Sequence, residues 1–403
     1  MIFSLEILQA RQGDCLLLHY GPEDQTSIIL IDGGPGRYYN TYTNSLEPRL
    51  EEIQQKLSPD DPVNLSMAMI SHMDDDHADG IVKMLEDMDS RIEDEEDPLL
   101  NISHLWFNTF DDIIGNLELG GIAQLPAGAT PSDINGFIPS LARAEDHAAM
   151  MIASTRQGRD IRDLARKLSI PVNHQFDEIE ANKAPLVRSG EEGRLIEWAG
   201  DLNIHVLHPN EERLLEMQKK WDADLKKAEE KGDPDIFYAS LASRDKSPFN
   251  LASIVCLVEF EEKRILLTGD ARDDDILQGL ENAGLLDDNG EIMLDILKLP
   301  HHGSDRNVSR HFFEKVKATN YVISADGRHH NPDRSTLEML SKATRGRDDF
   351  TIHLSNKTGV NDLEKELTEF IDADRQRGRT YGFEFRDEAK LSKTIDLLDA
   401  LHY

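Results

Sequence analysis

Ten residues near the start of the chain, SHMDDDHADG at 71–80, combine four acidic side chains with two histidines. Such a stretch could be a disordered charged tip, a calcium loop or a metal-ion active site. The apolar run NLSMAMI before it predicts a buried strand, and GIVKMLEDM after it has apolar residues at helical spacing, so disorder is disfavoured. A calcium loop needs alternating oxygen ligands, a central glycine and a distal glutamate, whereas imidazole favours zinc, iron and similar ions. The stretch therefore predicts a metal site on a strand-to-helix turn, with His72, Asp74, Asp76 and His77 as candidate ligands.

Further side chains that can bind metal ions follow other predicted strands. Asp32 comes after IILI, Asp270 after ILLTG, and His301 and His302 after LKLP. Loops at the ends of buried strands hold functional groups on a rigid frame. Four strand ends that supply aspartate and histidine predict one convergent site.

The elements that must position these groups recur in both halves of the chain. Strands are predicted at 2–8, 15–20, 27–32 and 65–70, and again in NIHVLHP, LASIVCLVEF, RILLTGD, LDILKLP, YVISADG and FTIHL. Helices are predicted near 45–57, 77–89, 141–168, 309–317 and 334–343. Strands clustered in each half with helices between them predict two mixed sheets packed face to face with helices outside.

The chain divides into one large domain and several additions. We expect the main domain to span 1–345, with an insertion or lid at about 90–200 and a charged helix at about 209–231. The stretch 89–98 is expected to be a solvated acidic loop, and 346–403 a C-terminal α/β appendage.

Composition limits the choice of partners. The 403 residues carry 44 basic and 77 acidic side chains, a formal charge of −33, which argues against a broad basic surface for nucleic acid. The segment 298–347 is locally richer in arginine and could admit an anionic substrate.

Cys15 and Cys256 lie in apolar runs and are expected to be buried thiols. No apolar run is long enough for a membrane span, and Glu6 without a basic leader argues against a signal peptide, so we expect a cytoplasmic protein.

Several motifs together resemble a known superfamily. The spacing His72-x-Asp74-x-Asp76-His77 resembles the H-x-H-x-D-H signature of the metallo-β-lactamase superfamily, with Asp74 in place of the second histidine. The motifs QGDCLLL, ILIDGG, SHMDDDHADG, NLASIVCLVEF, RILLTGDA and LKLPHHGS, in this order, are similar to the soluble metallo-β-lactamase-like domain of ComEC-type DNA-uptake proteins. The likeness covers roughly 1–90 and 200–340 and implies an αββα four-layer sandwich with an insertion.

The resemblance also implies a ligand set for two divalent metal ions, zinc or manganese. Asp76, His77, Asp270 and His301 would hold one ion, and His72 and Asp74 the other, with Asp270 bridging. Asp76 and Asp270 would steady a metal-activated hydroxide, and His302 would contact the substrate or donate a proton; the reverse roles of His301 and His302 stay open.

Two departures from the superfamily pattern affect the second ion. Asp74 replaces a histidine, and Asn250 stands where the third-motif histidine is expected. Both changes make that site richer in oxygen and admit manganese. His208, at the end of NIHVLHP, is either a strand-end histidine or a replacement ligand.

Three functions remain open from the sequence. The first is a phosphodiesterase or nuclease-like hydrolase acting on a nucleotide-like ester or a short, single-stranded nucleic acid. Its candidate substrate contacts are Asn250, Ser304, Arg306 and His330. The second is a lactonase- or thioesterase-type hydrolase of small esters. The third is a metal-bound subunit of a multi-protein system, for example a defence system, whose insertion or C-terminal region binds a partner.

Overall fold

A computed structural model of the chain describes residues 1–109, 112–113, 146–176, 185–216, 219 and 252–403. Its strands are β1 (Ile2–Leu8), β2 (Leu16–Gly21), β3 (Ser27–Ile31), β4 (Val63–Met69), β5 (Leu100–Ile102), β6 (Leu105–Trp106), β7 (Arg194–Glu197), β8 (Asn203–His208), β9 (Val255–Phe260), β10 (Lys263–Leu267), β11 (Ile292–Lys298), β12 (Val316–Ile323), β13 (Thr351–Leu354), β14 (Gly382–Phe385) and β15 (Ser392–Asp396). The α-helices are α1 (Glu47–Leu57), α2 (Asp75–Glu93), α3 (Asp146–Lys167), α4 (Asp273–Asn282), α5 (Arg310–Lys315), α6 (Arg334–Ala343) and α7 (Leu363–Gln376).

The strands form two mixed sheets. The first has the order β15-β1-β2-β3-β4-β5, with β6 also paired to β4, and the second the order β14-β13-β12-β11-β10-β9-β8-β7. Neighbours are antiparallel from β15 to β3 and from β7 to β10, and parallel from β3 to β5 and from β10 to β14. Because β3 is buried from Ile28 to Ile31, it reads as a short continuous apolar run rather than an alternating one.

Three apolar clusters define the layers. One lies between the sheets and joins Phe3 and Leu18 of the first sheet to Val258 and Ile296 of the second. A second cluster covers the outer face of the first sheet with α1, α2 and α3, and a third covers the outer face of the second sheet with α4 to α7. The predicted mixed α/β sandwich with helices outside is therefore confirmed at this level.

The C-terminal region departs from the expected appendage. β13 and β14 extend the second sheet, and β15 pairs antiparallel with β1 of the first. Residues 346–403 thus contribute strands to both sheets. The short strand β15 has a mixed polar sequence, and it is held partly by Ser4, whose hydroxyl donates to Asp396 at 2.6 Å.

The predicted insertion at 90–200 is partly built into the same layers. β5 and β6 pair with β4, β7 pairs with β8, and α3 packs against α2. α2 itself continues to Glu93 through part of the stretch expected to be an acidic loop. The Gly/Pro-rich segment within 114–145 lies outside the described residues, and so does most of the charged helix, of which 211–216 are helical.

A buried polar network ties the end of the chain to the first sheet. Glu6 accepts hydrogen bonds from Arg49 Nε at 2.6 Å and from His19 Nε2 at 2.9 Å. Arg49 also donates to the backbone oxygen of Tyr403 at 2.6 Å. Burial alone would raise the pKa of Glu6, but His19 and Arg49 lower it to about 2.

Both cysteines are buried free thiols, as predicted. Among the described ranges, no helix combines the length and apolar character that a bilayer crossing requires.

Candidate metal centre

Four histidines converge on one carboxylate where strands of both sheets end. Asp270 follows β10, and its Oδ1 lies 3.4 Å from His77 Nε2 and 3.7 Å from His302 Nε2. Its Oδ2 lies 3.6 Å from His72 Nε2 and 3.4 Å from His301 Nε2. The two oxygens of Asp270 therefore face two different pairs of imidazoles, which divides the site into two groups.

The first group contains Asp76, His77, His302 and Oδ1 of Asp270. His302 Nε2 is 3.2 Å from His77 Nε2 and 3.5 Å from Asp76 Oδ2. The sequence favoured His301 in this position and gave His302 the substrate role. His302 lies here instead because the tight turn after β11 turns its ring towards α2, and its side chain is only 4% exposed.

The second group contains His72, Asp74, His301 and Oδ2 of Asp270. His72 Nε2 lies 3.6 Å from Asp74 Oδ2 and 3.6 Å from Asp270 Oδ2. His301 reaches the same oxygen of Asp270 from the other side. The second group thus contains His301, from the turn after β11. From the sequence, we expected Asn250 to stand at one position of this group, where the superfamily has a histidine.

The outer nitrogens of the first two rings are fixed by one aspartate and one serine. Asp32 Oδ2 lies 2.8 Å from His77 Nδ1 and accepts the hydroxyl of Ser71 at 2.8 Å. The Ser71 hydroxyl donates its hydrogen bond to Asp32, so its Oγ can accept a hydrogen bond from His72 Nδ1 at 3.1 Å. Because a carboxylate only accepts, His77 donates from Nδ1, and its Nε2 faces the centre. Asp32 therefore orients two candidate ligands.

The other two rings are fixed in the same sense. His302 Nδ1 lies 3.0 Å from the backbone oxygen of Ser324, which can only accept. His301 Nδ1 lies 2.7 Å from Asn307 Oδ1, and the amide nitrogen of Asn307 donates to the backbone oxygen of Asp270 at 2.8 Å. With each Nδ1 bonded to a group outside the centre, all four Nε2 atoms face the carboxylates and are available to bind a metal ion.

The turn that carries His301 and His302 is strained. His301 has φ 47° and ψ 48°, and His302 has φ 55° and ψ 22°, so both adopt the left-handed region that side chains normally avoid. Such residues cost about 1–3 kcal/mol each and persist where the surroundings hold them. Here the backbone N–H of His301 donates to Gly269 beside Asp270 at 3.1 Å, which fixes the turn against the neighbouring loop.

The carboxylates of the site stabilise positive charge on the histidines beside them. Burial alone would lower the pKa of His77, but Asp270, Asp32 and Asp76 raise it well above its usual range. Burial would raise the pKa of Asp270, yet the surrounding histidines, with His301 first, hold it well below its usual range. The pKa of Asp76 is likewise lowered, against burial, by His77 and His302. Bound divalent cations would meet the same electrostatic demand without protonating the ligands.

A buried ion pair behind His302 was missed from the sequence. Asp14 Oδ2 lies 2.8 Å from Lys298 Nζ, and both side chains are at most 2% exposed. Asp14 Oδ1 lies 3.7 Å from His302 Nδ1, and the backbone N–H of Asp14 donates to Asp76 at 3.2 Å. The only signal was QGD before β2, which predicted a turn. Lys298 is buried with its ammonium paired to Asp14, which gives it a structural role.

The predicted substrate contacts lie in different surroundings. Ser304 is buried, and its backbone N–H donates to His301 at 2.9 Å, so it shapes the histidine turn. Arg306 is exposed on the same turn, and His330 is exposed on the turn after β12. Asn250 lies outside the described residues. His208 faces away from the four histidines, with Nδ1 2.8 Å from the Ser253 oxygen and Nε2 4.0 Å from an α4 carboxylate.

The donor set fits metal ions. His72, His77 and Asp270 each offer a ligand atom within 4.8 Å of the others, and so do Asp14, His77 and His302. His72 Nε2 is buried and has no hydrogen-bond partner in the part of the chain that the structure describes. Mixed imidazole and carboxylate donors suit zinc, manganese or iron.

The chain was compared with known proteins. No protein-family model matches it, and no curated protein matches it.

Proposed function

We propose that the chain is a metal-dependent hydrolase of phosphodiesters, nuclease-like in its chemistry, built on a metallo-β-lactamase-type αββα sandwich. One observation carries the proposal: four imidazoles, each tied at Nδ1, direct Nε2 towards the two oxygens of Asp270. A carboxylate shared between two ligand groups could bridge a pair of divalent ions.

The two ligand groups offer the same donor types, two imidazoles and one aspartate of their own beside Asp270. In the first group, His77 and His302 are at most 4% exposed and Asp76 is 27% exposed. The second includes Asp74 and the part-exposed His301, which is 32% exposed. Because each group combines carboxylate oxygens with imidazoles, we infer that the centre accepts manganese as readily as zinc.

When bound, a pair of divalent ions supplies Lewis acidity and lowers the pKa of a water to near neutrality. Side chains of the protein would position the water and supply the proton for the leaving group. Asp76 and Asp270 position that water and accept hydrogen bonds from it. His302 is enclosed among the ligands, which leaves proton donation to the leaving oxygen to an exposed histidine of the turn after β12.

His329 is the better placed of the two histidines on that turn. It lies near enough to Asp76, His301 and His302 for their charges to act on it. Burial is the main cause that lowers its pKa, with Asp76 acting in the opposite direction. The protonated form of a histidine with a lowered pKa is a stronger acid, although less of it is present at neutral pH, so we expect turnover that depends on it to fall as the pH rises.

The test is metal-dependent turnover. Protein treated with a chelator should be inactive, and zinc or manganese should restore hydrolysis of bis-p-nitrophenyl phosphate and of single-stranded DNA. Turnover of a lactone or thioester without any phosphodiester hydrolysis would overturn the proposal in favour of a small-ester hydrolase. Stoichiometric metal with no turnover of any ester would instead favour an interaction subunit.

A further inference from the structure

An exposed tyrosine stands at the mouth of the metal centre. The Tyr38 side chain is 80% exposed, the most of any large hydrophobic side chain in the described ranges. The guanidinium carbon of Arg328 lies 6.0 Å from the centre of its ring. A cation over an aromatic face holds the ring in place at modest energy, so one face of Tyr38 is supported while the rest of the ring meets solvent.

The two residues of this pair come from loops that build opposite sides of the site. Tyr38 belongs to the loop after β3, where the backbone N–H of Gly33 donates to His77 at 2.7 Å. Arg328 belongs to the turn after β12, where the side chain of Asn331 donates to the backbone oxygen of His301 at 3.2 Å. Each loop is thus anchored on a candidate ligand, and the Tyr38–Arg328 contact links them across the mouth.

A second pair of the same kind lies beside the first. The guanidinium carbon of Arg11 is 5.0 Å from the centre of the Tyr39 ring. Arg37, next to Tyr38 in the same loop, is exposed and lies close enough to Asp75 for its charge to act on that carboxyl. These loops therefore offer two aromatic rings and three guanidinium groups, on a chain whose formal charge is −33.

Aromatic rings beside cations match the chemistry of unpaired nucleic acid. Base–aromatic stacking needs a free base face, which a duplex hides, while guanidinium groups track the phosphates. A simple alkyl phosphodiester would contact the cations and leave the rings unoccupied.

We propose that Tyr38 and Arg328 form a clamp that stacks one unpaired nucleobase and holds an adjacent phosphate at the mouth of the metal centre. The substrate is then a single-stranded, base-bearing phosphodiester. This inference rests on the proposed function, since it names the substrate class of that same site.

The test measures binding without turnover. Chelator-treated full-length chain is titrated against fluorescein-labelled dT12 and against an abasic strand with the same number of phosphates, using fluorescence anisotropy. The unchanged protein should bind dT12 at least about fivefold more tightly than the abasic strand, the lower end of the effect of one stacked base. Tyr38→Ala should remove the preference, and Tyr38→Phe should keep it. Leu195→Ala, a control at a half-exposed residue of β7, should leave it unchanged.

The arginine has a separate readout. Arg328→Gln should weaken binding of both strands and reduce the slope of log affinity against log salt by about 0.7, the value for one phosphate contact on a single strand. Arg166→Gln, at an exposed arginine of α3, serves as its control. Equal binding of dT12 and the abasic strand, a preference that survives Tyr38→Ala, or an unchanged salt slope would overturn the clamp.

The two proposals fail in different ways. Hydrolysis of phosphodiesters with no base preference in binding would refute the clamp alone. A base preference with no metal-dependent hydrolysis would refute the proposed reaction and leave the clamp as a binding site.

Discussion

The buried pair Asp14–Lys298 gives a prediction that can be worked from the structure. Lys298 is 1% and Asp14 2% exposed, and Nζ lies 2.8 Å from Oδ2. Burial alone would raise the pKa of Asp14, yet Lys298 and His302 lower it, so the carboxylate is charged in the folded chain. Lys298→Met keeps most of the alkyl volume but leaves that charge without its main partner. Removing one member of a buried pair costs about 3–5 kcal/mol.

Urea unfolding in the presence of chelator measures this cost without a contribution from metal. We expect Lys298→Met to lower the free energy of unfolding by about 3–5 kcal/mol, and the double variant Lys298→Met/Asp14→Asn to recover much of it. Lys83→Met removes the exposed pair with Glu86, at 39% and 50% exposure, and should cost less than about 1 kcal/mol. If Lys298→Met costs no more than Lys83→Met, or if the two changes in the buried pair are additive, the reasoning is refuted.

Three further predictions concern pH, packing and metal choice. The pKa of Glu6 is about 2 in the folded chain against an ordinary value of 4.5, so the stability it contributes is present above pH 4.5 and lost as pH falls towards 2; Glu6→Gln should flatten this part of the urea-unfolding profile, and an unaltered profile would contradict it. A Cβ on Gly80 would lie 1.9 Å from the backbone oxygen of Gly33, so Gly80→Ala should lower the melting temperature measured by circular dichroism through an overpacking cost of about 1–3 kcal/mol, whereas no change would show that the contact relaxes. Asp74→His should raise affinity for zinc relative to manganese in competition titrations, because it exchanges an oxygen donor for imidazole; an unchanged ratio would remove Asp74 from the ligands.

The sequence predicted the main strands because each contains a short run of apolar residues that is buried in the fold. The runs that became β1, β3, β4 and β11 needed no knowledge of their partners to be recognised. β15 could not be found in this way. Its residues are mostly half-buried, and its pairing partner β1 lies almost 400 residues earlier in the chain.

The candidate site was predictable where chemistry-bearing residues follow a strand directly. His72, His77 and Asp270 were found by that rule. Which of His301 and His302 lies in which ligand group could not be predicted, because it depends on left-handed backbone angles at these two adjacent residues. Asp14 escaped notice because a single acid in a turn carries no signal until its neighbours are known.

The metal content of purified protein tests the central claim most directly. Elemental analysis of the unchanged chain should give about two divalent ions per molecule, the pair that Asp270 would bridge. Asp270→Asn should lose most of both ions, and His77→Ala should lose most of the ion of its own group. His311→Ala, at an exposed histidine of α5, should match the unchanged chain. Full metal content in Asp270→Asn and His77→Ala would contradict a metal centre built around Asp270.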